Sequence, residues 1–375
     1  MSRGVRILYV TQVVLDRPHG GPRHVLAVAR AWAERGHALR LLAPGADPEL
    51  AGMERIRPPR GARPGARLEL LQAALTAQAV RAQRPDVAYV RLSATSSAVP
   101  LTLAALGVPF VTELNGRILD ELAMLGRSPA SVAVVGLAQR QVARAAYATV
   151  AVEHKISRHA RDALGARDVR VVENGADVRM AVPGSRAEAR ARLGLPLDRP
   201  IYAFAGTLAP ELRLDLLLEA MRGLAPGILV MAGDGPQSDF LQSELRGRED
   251  VRWLGARPHA EAVDLLRAAD VCVNVRDGDM GMKALEYAAL GRRFVAFEVE
   301  GSERLAELYP AGDGAFLVRE RSASALVDAI RSALEAERQG PLAEADVARV
   351  REEVSWERTA ERIEAVLFEA AAGRR

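Results

Sequence analysis

The sequence predicts an α/β protein built of two doubly wound, parallel-sheet domains in tandem. Three observations carry that expectation. At 375 residues the chain is too long for one ordinary domain and suits two. Short apolar runs alternate with amphipathic segments along its length, the pattern of repeated strand–helix–strand units. Past residue 200 the alternation starts afresh with the apolar run Ile201 to Ala205, which ends in Gly206.

In the first series, residues 5–10 read as a buried strand. Gly20-Gly21-Pro22 follows, then a helical pattern from Arg23 to Arg35 that stops at Gly36. Further strands are expected at 39–43, 87–91, 109–113, 149–152 and 169–172. The second series has strands at 201–205, 228–232, 251–254, 271–275 and 294–297, with a helical stretch over 211–224. Between the series lies a Pro-containing, charge-rich segment, 179–200, read as a linker with room for a short helix. The expected domains are therefore 1–178 and 201–355.

Composition narrows the classes of function. Hydrophobic residues make up 49% and charged residues 26%, a globular balance. A formal net charge of +3 argues against a nucleic-acid binder, which would carry a strong basic stripe. Almost every basic residue is arginine, the exceptions being Lys155 and Lys283. The single cysteine, Cys272, lies in the apolar run 271–275 and reads as core filling in a reducing compartment. No run approaches the ~20 apolar residues that span a bilayer. A cytoplasmic protein is expected, with peripheral membrane contact left open.

Ligands of doubly wound sheets bind at the carboxyl ends of the strands, and the unusual residues fall there. The Gly20-Gly21 pair precedes a helix start, where close backbone approach and free amides suit an anionic group, or where a plain turn suffices. Glu113 and Asn115 end the strand 109–113 and can hold sugar or acceptor hydroxyls, or Asn115 can cap a helix. Gly206-Thr207 and Arg213 follow the strand 201–205, and Gly233-Asp234-Gly235-Pro236 forms a strong turn signal after the next. The richest segment runs from Asn274 to Tyr287, with a glycine loop and a helix starting near Gly281. Amides at such a start can cradle a diphosphate. Glu286, about one and a half turns in, can clamp ribose hydroxyls. Asp277-Gly278-Asp279 has the D-x-D spacing that can hold a divalent metal, though three-residue matches arise by chance. Nucleophile-elbow, P-loop and zinc motifs are absent from the sequence.

This ordered set of loops resembles family 4 of the glycosyltransferases, across nearly the whole chain. The residues that carry the resemblance are Gly20-Gly21, Val172 to Asp177, Gly206 to Asp215, Gly233 to Pro236, Trp253-Leu254-Gly255, Gly281 to Gly291 and Ser355-Trp356-Glu357. Glu286-Tyr287-Ala288-Ala289-Leu290-Gly291 is the clearest match. The resemblance implies the GT-B fold, two Rossmann-like domains facing a cleft, with a last helix, 356–375, crossing back to the first domain. It implies retention of anomeric configuration, no metal or other cofactor, a nucleotide-sugar donor held by the second domain, and an acceptor held by the first. By the same resemblance Glu286 holds the donor ribose, and the amides of Gly281 and Met282 hold phosphate. The loop 255–257, with Arg257, lies by the base. Gly20 and Gly21 approach the diphosphate from the first domain. Gly206, Thr207, Gly278, Met280 and Lys283 complete the expected donor set.

The chain departs from the family pattern at identifiable positions. Thr207 stands where the family usually has Arg, and Leu212 where it has Lys. The first Glu of the family's Glu-x7-Glu pair falls on Gly278, and the frequent acceptor-side His falls on Asn115, with Glu113 nearby. Two cations facing a leaving diphosphate would each offer a charge-assisted bond of ~1.5–3 kcal/mol. Arg213 is the expected substitute, Lys283 the other candidate, so Glu113, Asn115 and Arg213 form the expected catalytic set. The leading reading is a retaining transferase acting on a nucleotide sugar and a small or glycoconjugate acceptor, a soluble one being favoured over a lipid-linked one. The alternatives are a pseudo-glycosyltransferase with a cyclitol-type donor and a catalytically silent nucleotide- or carbohydrate-binding subunit.

Overall fold

The computed structural model describes residues 4–16, 20–45, 53–59, 63–178, 185–278 and 280–373. The chain forms two compact units, Met1–Asn174 with Trp356–Arg375, and Gly175–Ser355.

The first unit opens with β1 (Arg6–Thr11), α1 (Gly20–Glu34), β2 (Ala38–Leu42), β3 (Glu54–Ile56) and α2 (Ala66–Ala82). It continues with β4 (Val87–Arg91), α3 (Ala98–Ala105), β5 (Phe110–Leu114), α4 (Ile118–Met124), α5 (Pro129–Ala145), β6 (Ala148–Ala151), α6 (His154–Asp162) and β7 (Val169–Val171). All seven strands pair in parallel, in the order β3-β2-β1-β4-β5-β6-β7. A strand covered on both faces reads as a continuous apolar run, and β1 shows why. Ile7 and Tyr9 enter one core cluster while Leu8 and Val10 enter the other, the alternation that a pleated strand imposes.

The second unit comprises α7 (Arg186–Leu193), β8 (Ile201–Ala205), α8 (Leu214–Met221), β9 (Ile228–Ala232), α9 (Ser238–Glu244), β10 (Val251–Trp253), α10 (His259–Ala268) and β11 (Val271–Asn274). Then come α11 (Gly281–Ala289), β12 (Phe294–Phe297), α12 (Glu303–Leu308), β13 (Ala315–Val318), α13 (Ala323–Gln339) and α14 (Glu344–Glu353). Its six strands are also parallel, in the order β10-β9-β8-β11-β12-β13. Ile201, Ala203 and Ala205 of β8 face one core, Tyr202 and Phe204 the other.

In each sheet the winding direction reverses once, between β1 and β4 and between β8 and β11. The chain segments leaving the ends of those strands diverge and leave a crevice, the usual ligand position of open α/β sheets. The loops after β1, β8 and β11 are those that carry the expected donor residues.

The last helix, α15 (Trp356–Ala371), belongs to the first unit. Trp356, Ala360, Ile363, Leu367 and Ala370 form its buried stripe at helical spacing. It packs on α1, whose Val25, Val28, Ala29 and Trp32 are buried, and Trp32 Nε1 donates to Ala360 O at 3.0 Å.

Three details differ from the sequence expectation. Residues 185–200 of the expected linker join the second unit through α7, while 179–184 lie outside the described residues. Ser185 and Glu188 close a capping box at its start. Arg190, nearly buried, donates to Ala268 O at 2.9 Å and to Asp270 at 2.6 Å, and Asp270 also accepts from Ile201 N at 2.7 Å. Residues 211–213 are not helical, because Leu212 N bonds Ala209 O and Arg213 N bonds Val275 O. Finally, β3 and β13 are additional edge strands of three and four residues, too short to give a period-two signal.

Candidate functional site

The loops after β8 and β9 are packed backbone against backbone. Gly233, at φ 137°, lies so close to Gly206 that a Cβ there would sit 1.8 Å from Gly206 O. A Cβ on Gly235 would meet Leu208 backbone atoms at 2.7–2.9 Å. Gly206 N donates to Ala232 O at 2.9 Å, Gly233 N to Gly255 O at 2.8 Å, and Trp253 Nε1 to Gly233 O at 2.9 Å. The Gly-Asp-Gly-Pro signal is therefore more than a turn. It lets the two strand ends close up and sets the loop containing Gly255 beside them. Arg257, farther along that loop, is exposed and lies 3.6 Å from Glu261.

The other wall begins at the end of β11. Asn274 is buried, and its Nδ2 donates to Met280 O at 2.8 Å, closing the loop that leads to α11. Met280 is buried, Gly278 is exposed at φ 88°, and Gly281 has φ 64°. Asp279 lies outside the described residues. The N-cap residue of α11, Met280, makes no side-chain cap bond, and the first amides of the helix, those of Gly281 and Met282 among them, have no intrahelical acceptor. One turn in, Lys283 Nζ donates to Glu286 Oε2 at 2.7 Å. The lysine chain runs across the end of β8: a Cβ on Gly206 would lie 3.1 Å from Lys283 Cε. Gly206, Lys283, Glu286 and the α11 start thus form one group, with exposed Thr207 at its edge.

Arg213 stands in a different relation to this group. Its guanidinium makes a two-pronged contact with Asp215 at 2.9 and 2.6 Å and lies 3.5 Å from Asp277. The bonds that Arg213 donates to Asp215, with Asp277 adding to them, raise the Arg213 pKa above its ordinary value. Asp277 also accepts from Arg321 at 2.9 Å, and Arg321 sits over the Phe297 ring at 4.5 Å. Two carboxylates around one guanidinium leave little net positive charge for a third anion. In this structure Arg213 ties the loop after β8 to the loop after β11. Leu212 is buried in the core and carries no charge.

In the first unit, Gly20 and Gly21 open α1, exposed and half-buried respectively, while His19 lies outside the described residues. Glu113, expected to meet hydroxyls directly, is wholly buried. His24 Nε2 lies 3.0 Å from its Oε2, while Arg91 and the Asn115 side chain both donate to Oε1. His24 Nδ1 lies 2.8 Å from Asn174 Oδ1, and its ring stands edge-on to Trp356 at 5.0 Å. Burial alone would raise the Glu113 pKa, but the charges of His24 and Arg91 and the bonds from His24 and Asn115 overcome it and hold the carboxyl far below its usual range. Glu113 is thus a buried anchor and half-buried Asn115 a side chain it orients. His24 and Arg91 went unnoticed in the sequence, and Asn174 entered only within the stretch Val172 to Asp177 that carries the resemblance. Their signals were a histidine one turn beyond the glycine pair, an arginine closing an apolar strand, and the Asn of Glu173-Asn174-Gly175.

Two parallel sheets wound in this way are the two Rossmann-like units of the GT-B fold. Residues 18–179 match the family model described as Glycosyltransferase Family 4, and residues 199–336 match that described as Glycosyl transferases group 1. The chain belongs to the family 4 glycosyltransferases. D-inositol 3-phosphate glycosyltransferase of Saccharomonospora viridis is 38% identical over 151 residues, 36% of this chain and 35% of that protein. The protein of the same name from Mycobacterium bovis is 36% identical over 141 residues, 35% of this chain and 29% of that protein. The chain thus spans about a third of the length of these curated relatives. Among solved structures, sucrose-phosphate synthase from Thermosynechococcus elongatus matches with a TM-score of 0.74 at 19% identity, covering 99% of this chain and 100% of that one. Anabaena HepE in complex with UDP matches at 0.73 and 19%, covering 97% and 100%. At such identity these likenesses establish the fold.

Proposed function

We propose that the chain moves a glycosyl group from a nucleoside-diphosphate sugar to an acceptor hydroxyl, with retention of anomeric configuration and without a metal. The observation that carries this reading is the group formed by Gly206, Lys283, Glu286 and the start of α11. Backbone amides and a helix dipole favour a phosphate there, and Glu286 is within reach to accept ribose hydroxyls. In the transfer the bond from the anomeric carbon to the diphosphate breaks, and its electron pair stays on the phosphate oxygen. The acceptor oxygen bonds the same carbon, and its proton passes to the departing diphosphate. Amides aimed at the leaving oxygen stabilise charge that develops only in the transition state. Solved neighbours whose names record UDP or UDP-glucose complexes support this donor class, as do relatives named as glycosyltransferases. We favour a small soluble acceptor and a cytoplasmic location. The buried thiol of Cys272 suits a reducing compartment, and no helix among the described residues is long and apolar enough to cross a membrane.

The test is a panel of nucleotide sugars incubated with the protein in the presence of EDTA, with released nucleoside diphosphate and transferred sugar measured. Retention is read from the anomeric coupling constant of the product. A strict requirement for a divalent ion would overturn the metal-free step. Uncharged Thr207 and Leu212 keep a second reading alive, a nucleotide-binding subunit without turnover. Binding of a nucleoside diphosphate with no hydrolysis or transfer on any acceptor would select it.

A further inference from the structure

We infer that Lys283 is the cation that neutralises the donor diphosphate, held on Glu286 until the ligand takes it over. This rests on the donor reading above and names the charge that reading lacks. A nucleoside diphosphate brings at least two negative charges to the start of α11, more than neutral amides compensate well. The arginines close to this loop are committed. Arg213 is bound by Asp215 and lies near Asp277, Arg321 by Asp277 and three backbone carbonyls, and Arg276 lies 3.7 Å from Glu211. Lys283 is placed differently. It extends from the first turn of α11 across Gly206, and Gly206 has no side chain to block it. Its Nζ has one described carboxylate partner, Glu286. An ammonium carries three donors, so the contact with Glu286 leaves Nζ capacity for a phosphate oxygen.

The arrangement has a consequence for order of events. Glu286 is the carboxylate placed to receive ribose hydroxyls, and in the free protein it is engaged by Lys283. A ligand carrying both ribose and diphosphate offers each member of the pair a new partner, hydroxyls for Glu286 and phosphate oxygens for Lys283. A nucleoside without phosphate competes with Lys283 for Glu286 and returns nothing to the lysine. Selectivity for diphosphates over nucleosides is therefore built into one i,i+3 pair.

The experiment is calorimetric titration of the full chain with UDP, GDP and ADP and with their monophosphates, on the parent, K283M and K283R. Methionine keeps an unbranched chain over Gly206 and removes the charge, and K283Q replaces it should K283M fail to fold. For whichever diphosphate the parent binds, K283M should lose on the order of 10-fold in affinity, one charge-assisted bond's worth. Its monophosphate affinity should move much less, and K283R should recover most of the loss. Added NaCl should weaken diphosphate binding by the parent more steeply than by K283M. Unchanged diphosphate affinity in folded K283M or K283Q would overturn the inference while leaving the donor reading in place. So would a loss of diphosphate preference in R213M with none in K283M. If the parent binds none of the three diphosphates, the donor reading fails and the inference with it.

Discussion

Arg91 and His24 each serve one oxygen of a carboxylate that has no access to solvent. Removing one partner of a buried pair strands the other, which is far costlier than the pair's net contribution. Arg91→Met should therefore destabilise the first unit by ~3–5 kcal/mol, read from urea unfolding followed by near-UV circular dichroism. The acid limb of stability gives a second handle. The folded Glu113 carboxyl titrates far below its ordinary 4.5. Its contribution is complete above that value and is lost as the pH falls through and below it. Glu69 has the opposite sign, since burial raises its carboxyl, so the comparison is between E113Q and the parent rather than on the parent alone. E113Q should flatten the fall in stability below about pH 4.5; a parallel fall in both proteins would show that Glu113 is not its source.

At the scale of elements, the glycine stack after β8 and β9 makes a sharp prediction. Gly233 combines a left-handed φ with a neighbour that leaves no room for a methyl. Gly233→Ala should cost more than ~3 kcal/mol and separate the strand ends that shape the proposed donor site. Gly278→Ala shares the positive φ but has open space around it, so it should cost only ~1–2 kcal/mol of backbone strain. Thermal unfolding of the two variants side by side tests the ordering. The helix α15 makes another. It covers α1 and supplies six buried residues to the first unit's core, so truncation after Ser355 should expose apolar surface. Increased dye binding and lost near-UV signal from Trp32 and its neighbours Tyr9 and Tyr89 are the expected readouts.

For the whole molecule, ligand linkage is the cheapest probe of function. A nucleotide sugar that binds the folded chain alone adds ~2.7 kcal/mol at one hundred times its Kd. A thermal-shift panel should therefore single out one nucleotide base above the rest, and the same panel on K283M should lose that shift for diphosphates first. A uniform absence of shifts at millimolar ligand would count against the donor site.

Much of this architecture was legible in the residues alone. The two series of apolar runs announced two parallel sheets, because a strand buried on both faces is apolar at most of its positions. The start of α11 was readable too, since a glycine loop between an apolar strand and an amphipathic run admits few other readings. So was the position of Glu286, because helical spacing follows from sequence distance. What only the tertiary structure decided were relations between residues far apart in the chain. Glu113 and Arg213 looked like free, chemically useful groups. Folding gave Glu113 to His24, 89 residues away, and set Arg213 between Asp215 and Asp277. The glycine at 206 stood in the sequence as a donor-set residue at a strand end, and folding made it the gap that Lys283 crosses. A pattern of side chains records which face is buried. It does not record which charge a buried or half-buried charge will meet, because that partner is chosen by strand order and packing.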